Sequence, residues 1–556
     1  MAPSAELRKK VGQLFAVGFH GLTPDTGIRT LIRDYDLGAV ILFKRNIKDA
    51  DQLKALTRDL QQEAKDAGHE FPLFIGIDQE NGLVTRVCPP IAAQQPGQMA
   101  LGATGSSKYA YEVGKATGEV LDFFGINMNY APDCDINSEP LNPVIGVRSP
   151  GDNPEFVAKI TSATAQGLRE RGVVPTVKHF PGHGDTAVDS HVGLPVITKT
   201  RSELEKCELV PFRRAVAEGI EAVMTAHIAL PEIGQEGLPA TLSSDALNIL
   251  RKDMKYDGVI ITDCLEMDGI RATYGTVEGA LMSLKAGSDS VMICHTYEVQ
   301  VRAIDRVCEA VESGDLPTSQ IDDSLRRVTA LKKRFVTWER ALETSTTVDD
   351  LARLNGAHQD LAKDVYSHSV TVVRDESNLL PISASSNVLF LSPGGRIPAG
   401  GAVDESGPKH KTFLNVLEAH CSKVTEIKYS ETSLSDEEWE LVKEADVVVL
   451  ATRNAREAEE QLNLGFELAK RKDNLIVIAT CNPYDFLDDI DIKTYLATYE
   501  PTVEAFSAAV EVIFGQASAK GSLPVEYNIK RTKKSGDDIQ ISPYGGDNDI
   551  EGIVKV

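Results

Sequence analysis

Length, composition and charge narrow the classes of protein to consider. The chain has 556 residues, which is more than one hydrophobic core usually supports, so we expect two domains. Its 58 basic and 82 acidic residues give a formal charge of −24, which would repel a phosphate backbone and excludes nucleic acid as an expected partner. No apolar run approaches the ~18 residues that a membrane span needs, so we expect no membrane partner.

The cysteines and the N-terminal segment indicate a reducing compartment. The eight cysteines are scattered without CxxC spacing, a pattern typical of reduced, buried thiols. The N-terminal segment has a short apolar run that glycine and histidine interrupt, so it does not make a secretory signal. We therefore expect a cytoplasmic protein. Nothing in the sequence predicts an oligomeric state.

The first 335 residues alternate apolar, β-rich runs with helical patterns. Eight strands are predicted, at 13–19, 38–43, 72–78, 126–133, 173–180, 221–227, 258–263 and 290–295. This alternation predicts an α/β fold, a (β/α)8 barrel over residues 1–335, whose catalytic face lies at the carboxyl ends of the strands. Polar side chains cluster at those ends, namely Lys44, Arg45, Asp78, Asp133, Lys178, His179, His227, Asp263 and His295.

A second domain follows a polar stretch at 336–360, which we interpret as a linker. Over residues 361–530, predicted strands at 369–373, 387–392, 423–429, 446–452, 475–481 and 494–499 alternate with helical patterns. They predict a parallel, three-layer α/β/α sandwich. The glycine-rich stretch 392–403 lacks the spacing of a phosphate-binding loop, so we interpret it as a turn-rich connection. The polar tail 531–556 shows no clear period.

The stretch KHFPGHGDTAVDSHVGLP, residues 178–195, carries three of the eleven histidines. His179 and His183 have the spacing of a zinc pair on a helix, but the intervening proline and glycine forbid a stable helix. Asp189 and His191 are two residues apart, a spacing at which a carboxylate can orient an imidazole for proton transfer. From spacing alone, an acid/base device, a solvated polar loop and a metal site all stay open.

Several motifs in a fixed order resemble glycoside hydrolase family 3, in particular its branch of β-N-acetylglucosaminidases. The motifs are KHFPGHGDTAVDSH (178–191), GIDQENGLVTRV (76–87), NPVIGVRS (142–149), ITDCLEM (261–267) and, in the second half, LAKDVYSHSVTVVRDESNLLPI (361–382). The resemblance extends to about residue 530. It departs from the family pattern at Cys264 and Glu266, where relatives have an aspartate and a serine.

The resemblance implies a role for each matching residue. Asp263 matches the catalytic nucleophile, His191 the general acid/base, and Asp189 the carboxylate that orients this histidine. The positions that hold the non-reducing sugar through its hydroxyls match Asp78, Arg86, Arg148, Lys178 and His179. Charge-assisted hydrogen bonds suit a ring with several hydroxyl groups.

The activity implied is exo-acting, retaining release of terminal GlcNAc from β-linked oligosaccharides of chitin or cell wall, with no metal or cofactor. Phosphorolysis and β-glucosidase activity are the alternatives among enzymes. A non-catalytic sugar-binding protein on the same fold is the remaining alternative. Its expected signature is the loss of Asp263, His191 or Asp189, and all three are present. The sequence does not distinguish GlcNAc from a muramic acid derivative as the leaving sugar.

Overall fold

A computed structural model describes residues 4–186, 193–235, 237–394, 412–430 and 434–526. The described residues form two compact units, one that ends at Tyr366 and one that begins at Ser367. All eight cysteines lie in the described part of the chain as free thiols. No helix among the described residues is both long enough and apolar enough to cross a bilayer.

The first unit contains a closed barrel of eight parallel strands in chain order. The strands are β1 (Phe15–Val17), β2 (Ala39–Leu42), β3 (Phe74–Ile77), β4 (Met128–Asn129), β5 (Val174–Phe180), β6 (Ala222–Thr225), β7 (Val259–Cys264) and β8 (Ser290–Ile293). Most are short, wholly buried apolar runs, as expected for strands covered on both faces. All eight predicted strands are confirmed, although β4 has only two residues of the eight expected.

Helices follow the barrel strands and pack around them. They are α1 (Ala5–Gly12), α2 (Thr26–Tyr35), α3 (Ala50–Asp66), α4 (Gln98–Ala103), α5 (Ser107–Phe123), α6 (Pro154–Glu170), α7 (Arg201–Lys206), α8 (Leu209–Ala217), α9 (Ser244–Asn248), α10 (Asp268–Arg271), α11 (Thr276–Ala286), α12 (Tyr297–Ser313), α13 (Thr318–Phe335), α14 (Trp338–Ala341) and α15 (Val348–Ser369). Many start at a capping side chain. Asp49, for example, accepts a hydrogen bond from the backbone N–H of Gln52 at the start of α3.

Helices α14 and α15 occupy most of the stretch that the polar composition assigned to a linker. The division between the two compact units falls inside α15, between Tyr366 and Ser367. Polar residues are compatible with helix when one face packs, and Leu351 is a buried residue of α15. The domain boundaries at 335 and 361 stay a prediction.

The second unit contains a six-stranded sheet. In chain order its strands are β9 (Thr371–Asp375), β10 (Asn387–Pro393), β11 (Lys423–Tyr429), β12 (Val447–Thr452), β13 (Leu475–Ala479) and β14 (Thr494–Ala497). Its helices are α16 (Phe413–Glu418), α17 (Asp436–Glu444), α18 (Glu459–Arg471) and α19 (Val503–Ile513). The strands lie side by side in the order β11-β10-β12-β13-β14-β9.

One strand departs from the predicted parallel sheet. Strands β10 to β14 are parallel, but β9 pairs with β14 in the antiparallel sense, so the sheet is mixed. An apolar run does not encode strand direction. β9 lies at the edge of the sheet and precedes its first helical crossover, and large α/β sheets commonly carry an antiparallel strand at such an edge.

Candidate active site

The carboxyl ends of β3, β4, β5 and β7 bring most of the predicted site residues to one end of the barrel. Asp78 directly follows β3, Lys178 and His179 lie in the last residues of β5, and Asp263 is the penultimate residue of β7. Arg148 ends a short 3-10 turn, Gly146–Arg148, after β4. In a barrel of this kind, side chains at the carboxyl ends of the strands form the catalytic face.

The two strands that carry charged site residues are irregular at those residues. The pairing of β5 with β6 shifts register between Val177 and Phe180, and the pairing of β7 with β8 shifts between Ile261 and Cys264. Irregularities of this kind are concentrated next to active sites, because they re-aim a side chain out of the regular pleat. Here they fall where β5 presents Lys178 and His179 and where β7 presents Asp263.

Lys178 and Arg148 share the buried carboxylate of Glu80. Lys178 Nζ lies 2.6 Å from Glu80 Oε1 and donates to Asp78 Oδ1 at 2.9 Å. Arg148 donates from Nε and Nη2 to the two oxygens of Glu80, both at 2.9 Å. Arg86 Nη2 lies 3.9 Å from Asp78 Oδ2. The result is a connected network of fixed charges on the catalytic face.

Opposite charges decide the ionisation of this network. Burial alone would lower the pKa of Lys178, but the carboxylates of Asp78 and Glu80 outweigh it and hold the pKa above its ordinary value. Burial alone would likewise raise the pKa of Glu80, but Arg148 and Lys178 bring it well below the usual range. Lys178 and Arg148 therefore remain charged donors, and Glu80 remains an anion.

His179 is a buried, neutral imidazole. Its Nδ1 lies 2.6 Å from Asp135 Oδ2, and its Nε2 lies 3.4 Å from Arg148 Nη2. Because Arg148 can only donate, Nε2 accepts, and the ring proton belongs on Nδ1, which donates a hydrogen bond to Asp135 Oδ2. Burial is the main cause that lowers the pKa of His179 to about 4. His179 therefore serves as a fixed, uncharged group and not as a proton donor at neutral pH.

Asp135 anchors the chain where it leaves β5. Besides His179 Nδ1, it accepts hydrogen bonds from the backbone N–H groups of His179 and His183, the latter at 2.6 Å. Asn142 Nδ2 donates to the carbonyl oxygens of His183 and Gly184 at 2.9 and 3.0 Å. A Cβ at Gly184 would lie 1.6 Å from the carbonyl oxygen of Ile136, so only glycine fits. The start of the histidine-rich stretch is thus rigidly held.

Two buried aspartates beside His179 hold their protons more strongly than usual. Burial raises the pKa of Asp135 to about 6. Burial and then the neighbouring charge of Asp135 raise the pKa of Asp133 well above its ordinary range. Asp133 Oδ2 lies 3.5 Å from Arg148 Nη2, so this pair is continuous with the charge network.

Asp263 is half-buried, with one oxygen fixed by the chain itself. Its Oδ1 accepts a hydrogen bond from the backbone N–H of Cys264 at 2.7 Å. Its negative charge opposes the lowering of the pKa of both His179 and His183. The predicted nucleophile therefore lies within electrostatic reach of the predicted sugar-binding residues. Asp189 and His191, the predicted acid/base pair, lie outside the described residues.

Two sets of three side chains in the described part of the chain could hold a metal ion. In each set, every ligand atom lies within 4.8 Å of the others. One set, Asp133, Asp135 and His179, is already committed to Arg148 and to backbone groups. The other set is Cys264, Glu266 and His295, at the ends of β7 and β8.

Comparison with known proteins identifies the family. Residues 6–331 match the family model described as the glycosyl hydrolase family 3 N terminal domain. The chain belongs to glycoside hydrolase family 3. It is therefore a glycoside hydrolase, and the matched residues include all eight barrel strands.

Relatives extend the family 3 match beyond the barrel. Beta-hexosaminidase A of Pseudoalteromonas piscicida is 29% identical over 559 residues, which cover 90% of both chains. A family 3 β-N-acetylglucosaminidase structure from a Paenibacillus species is 39% identical with a TM-score of 0.87, and it covers 94% of this chain and 98% of that one. A fungal multi-domain family 3 β-N-acetylglucosaminidase is 40% identical with a TM-score of 0.87 over 93% of this chain, which spans 60% of the fungal protein.

Two residues that shape the site of this family 3 chain, Glu80 and Asp135, were not among the predicted site residues. Glu80 links Lys178 to Arg148, and Asp135 holds both His179 and His183. A signal for Glu80 was present, since it lies two residues after Asp78 in GIDQENG. Asp135 had a weaker signal: it lies two residues after the strand-end residue Asp133, but in none of the motifs quoted above.

Proposed function

We propose that this chain is an exo-acting, retaining β-N-acetylglucosaminidase that releases terminal non-reducing GlcNAc from β-linked oligosaccharides of chitin or bacterial cell wall. The observation that carries the proposal is the network of Asp78, Glu80, Lys178 and Arg148 on the barrel face that also presents Asp263. The names of the relatives, β-hexosaminidase and β-N-acetylglucosaminidase, support GlcNAc as the sugar.

The network suits one terminal sugar ring. Asp78 is the most exposed member, with 17% of its side chain accessible, and it can accept hydrogen bonds from sugar hydroxyls. Lys178 and Arg148 offer charged N–H donors to hydroxyl oxygens. Glu80 forms an ion pair with each of these two cations, and its negative charge offsets the repulsion between them. Arg86, close to Asp78, adds a further donor.

The first chemical step joins the sugar to the enzyme. Asp263 attacks the anomeric carbon with one carboxylate oxygen while the bond to the leaving-group oxygen breaks. Protonated His191 gives its proton to that oxygen, so the leaving sugar departs as an alcohol. Asp189 keeps the imidazole in the right orientation and stabilises its charge. The hydrogen bond from the Cys264 N–H to Oδ1 positions the Asp263 carboxylate for the attack.

The second step releases the sugar with its original anomeric configuration. Neutral His191 takes a proton from a water molecule, which attacks the anomeric carbon and breaks the bond to Asp263. The cycle restores the Asp263 carboxylate and protonated His191. Since His179 is neutral and hydrogen-bonded through both ring nitrogens, we assign proton transfer to His191. His179 then contributes to sugar binding through its contact with Arg148.

Product analysis tests the proposal directly. The purified protein is incubated with chitobiose, with a GlcNAc–anhydromuramic acid disaccharide and with an aryl β-glucoside, and NMR follows the anomer formed first. We expect β-GlcNAc from at least one disaccharide and little glucose. Initial release of α-GlcNAc from the GlcNAc–anhydromuramic acid disaccharide, whose only GlcNAc is the non-reducing sugar, would refute it. Release of GlcNAc 1-phosphate in phosphate buffer, or of glucose in preference to GlcNAc, would also refute it. The Asp263→Asn variant is the control for contaminating glycosidases.

We further propose a cytoplasmic location. The free state of all eight cysteines supports a reducing compartment. Fractionation of the source cells, with mass spectrometry of the cysteines, tests this. Recovery of the chain from the medium with native disulfides would contradict it.

A further inference from the structure

Three side chains of types that bind metal ions meet near the proposed nucleophile, and these side chains have no role in the proposed reaction. Cys264 is the last residue of β7, Glu266 follows two residues later, and His295 follows the end of β8. Because β7 and β8 are neighbours in the barrel, one thiol, one carboxylate and one imidazole converge, with their ligand atoms within 4.8 Å of one another.

The carboxylate of this cluster is held in place by the backbone. Glu266 Oε2 accepts a hydrogen bond from the N–H of His295 at 2.6 Å, and Oε1 accepts one from the N–H of Thr296 at 3.1 Å. Each carboxylate oxygen keeps a second lone pair, so these bonds leave room for a metal ion. Metal-ligating carboxylates in proteins are typically hydrogen-bonded in this way. Glu266 is therefore pre-organised toward Cys264 and His295.

The cluster is accessible from one side. Cys264 is buried, whereas Glu266 is half-buried and His295 is exposed. Glu266 and His295 form part of the wall of a cavity of about 600 Å³, together with Arg271, Tyr274 and residues at the start of α11 and α12. An ion can enter through this cavity, and a water molecule there can complete a tetrahedral set around it.

The donor set selects the kind of ion. Mg²⁺ and Ca²⁺ prefer oxygen ligands, whereas a sulfur, an imidazole nitrogen and a carboxylate oxygen suit Zn²⁺ and similar ions. We propose that Cys264, Glu266 and His295 bind a thiophilic divalent cation of the Zn²⁺ class, and that its binding inhibits the enzyme. The first part of this proposal, metal binding (the binding half), depends only on the geometry of the three side chains. The second part, inhibition (the inhibition half), rests on the proposed role of Asp263 as nucleophile.

Inhibition follows from the position of Cys264. Its backbone N–H donates to Asp263 Oδ1 at 2.7 Å, so Cys264 helps to hold the attacking carboxylate. An ion of charge +2 that displaces the thiol proton adds one net positive charge at this residue, the neighbour of Asp263 in the chain. The ion stabilises the anion and makes it a weaker nucleophile. It also restrains the end of β7, where the register with β8 shifts.

Cobalt titration tests the binding half without any activity measurement. Co²⁺ bound through a thiolate gives a sulfur-to-metal charge-transfer absorption, which a site without sulfur cannot give. We expect this absorption in the wild type and in the matched controls Cys88→Ser and Cys207→Ser, which alter the two partly exposed cysteines elsewhere. It should be absent from Cys264→Ser. Absorption that survives in Cys264→Ser, or that Cys88→Ser abolishes, would overturn the assignment.

A second variant covers the case in which Cys264→Ser does not fold. His295 is exposed, so His295→Gln should keep the wild-type melting temperature. Its affinity for Co²⁺ should fall at least tenfold. Replacing a residue that only hydrogen-bonds to a metal ligand already costs about tenfold or more in metal affinity, so loss of a ligand itself should cost no less. Unchanged Co²⁺ affinity in a folded His295→Gln protein would overturn the site.

Zn²⁺ titration of activity tests the inhibition half. Hydrolysis of an aryl β-N-acetylglucosaminide by metal-free wild type should fall as Zn²⁺ is added and recover with EDTA, while His295→Gln should resist the same concentrations. Equal inhibition of both proteins would place the inhibitory ion elsewhere and refute this half. A metal-free wild type without activity would instead count against the proposed function, so the two failures are distinguishable.

Discussion

Arg148 grips Glu80 with two parallel hydrogen bonds of 2.9 Å, across 68 residues of sequence. The carboxylate has only 2% of its side chain exposed, and it also lies 2.6 Å from Lys178 Nζ. The loops after β3 and β4 are therefore tied to the end of β5 by one buried anion. This anion sets both the stability of the catalytic face and the position of the two cations offered to the sugar.

Glu80→Gln should destabilise the fold strongly. The change leaves Lys178 with Asp78 and Arg148 with Asp133 as their remaining carboxylate partners. Breaking a buried ion pair from one side typically costs about 3–5 kcal/mol. Thermal or denaturant unfolding measures the loss. Glu278→Gln is the matched control, because Glu278 pairs with Arg306 at the surface and such pairs contribute about 0.2–1 kcal/mol. If both variants lose the same free energy of unfolding, Glu80 contributes no more to stability than a surface ion pair does.

Arg148→Ala and Lys178→Ala should each weaken substrate binding and slow turnover together. Contacts to ring hydroxyls strengthen as the ring distorts toward the transition state, so their removal affects kcat as well as KM. We expect kcat/KM to fall by at least about 100-fold, which corresponds to about 2.7 kcal/mol. Steady-state kinetics on an aryl substrate measures this, with Arg271→Ala, an exposed arginine paired with Asp268, as the control. Wild-type kinetics in both variants would mean that the sugar binds elsewhere.

Asp263→Asn should abolish turnover while the fold and sugar binding persist. The change removes the nucleophile with almost no change in volume. Kinetics, together with GlcNAc binding by calorimetry, separates the two effects, and Asp268→Asn is a control in the same loop. Near-normal turnover in Asp263→Asn would refute its assignment as nucleophile.

The barrel could be predicted from sequence because parallel strands buried on both faces are unbroken apolar runs, such as AVIL in β2 and FIGI in β3. The direction of β9 could not, since the same apolar pattern serves either direction. The polar residues that follow these runs predicted the catalytic face, because the carboxyl ends of all the barrel strands lie at the same end of the barrel.

The partners within the site were harder to predict. Asp78 and Lys178 are 100 residues apart, and only the closed barrel brings them within 2.9 Å. Glu80 and Asp135 act by holding other residues. Glu80 lies in the motif GIDQENGLVTRV, but nothing in that motif shows that its carboxylate joins Lys178 to Arg148. The pairing of Cys264 with His295 likewise depends on β7 and β8 being neighbours.

His183 should make the fold sensitive to acid. Burial is the main cause that lowers its pKa from an ordinary 6.5 to about 3. Between these values the unfolded chain binds a proton at His183 that the folded chain does not, so stability present above pH 6.5 is lost as pH falls toward 3. The loss is at most about 1.4 kcal/mol per pH unit.

The His183→Gln variant isolates this contribution. Its unfolding free energy should fall less steeply than that of the wild type between pH 6.5 and 4, whatever its stability at pH 7. His20→Gln, which changes an exposed histidine, should keep the wild-type slope. If the unfolding free energies of wild type and His183→Gln change in parallel with pH, His183 titrates alike in the folded and the unfolded state.

The acid/base role assigned to His191 makes a prediction about leaving groups. His191→Gly should cripple hydrolysis of natural disaccharides, because their alkoxide leaving group needs a proton. It should spare the first step for aryl glycosides with acidic phenols, which leave without one. Deglycosylation then lacks its base, so stopped-flow measurement should show a burst of phenol followed by slow turnover.

Asp189→Asn should give a milder form of the same defect, because the imidazole stays but loses the charge that orients it. A metal site in this stretch would behave differently: EDTA would inactivate the wild type, and the acidity of the leaving group would not matter. We expect full activity in EDTA and a steep dependence on leaving-group pKa only in the His191 and Asp189 variants. If His191→Gly slows activated and unactivated substrates by the same factor, the histidine does not protonate the leaving group, and the acid must come from another residue.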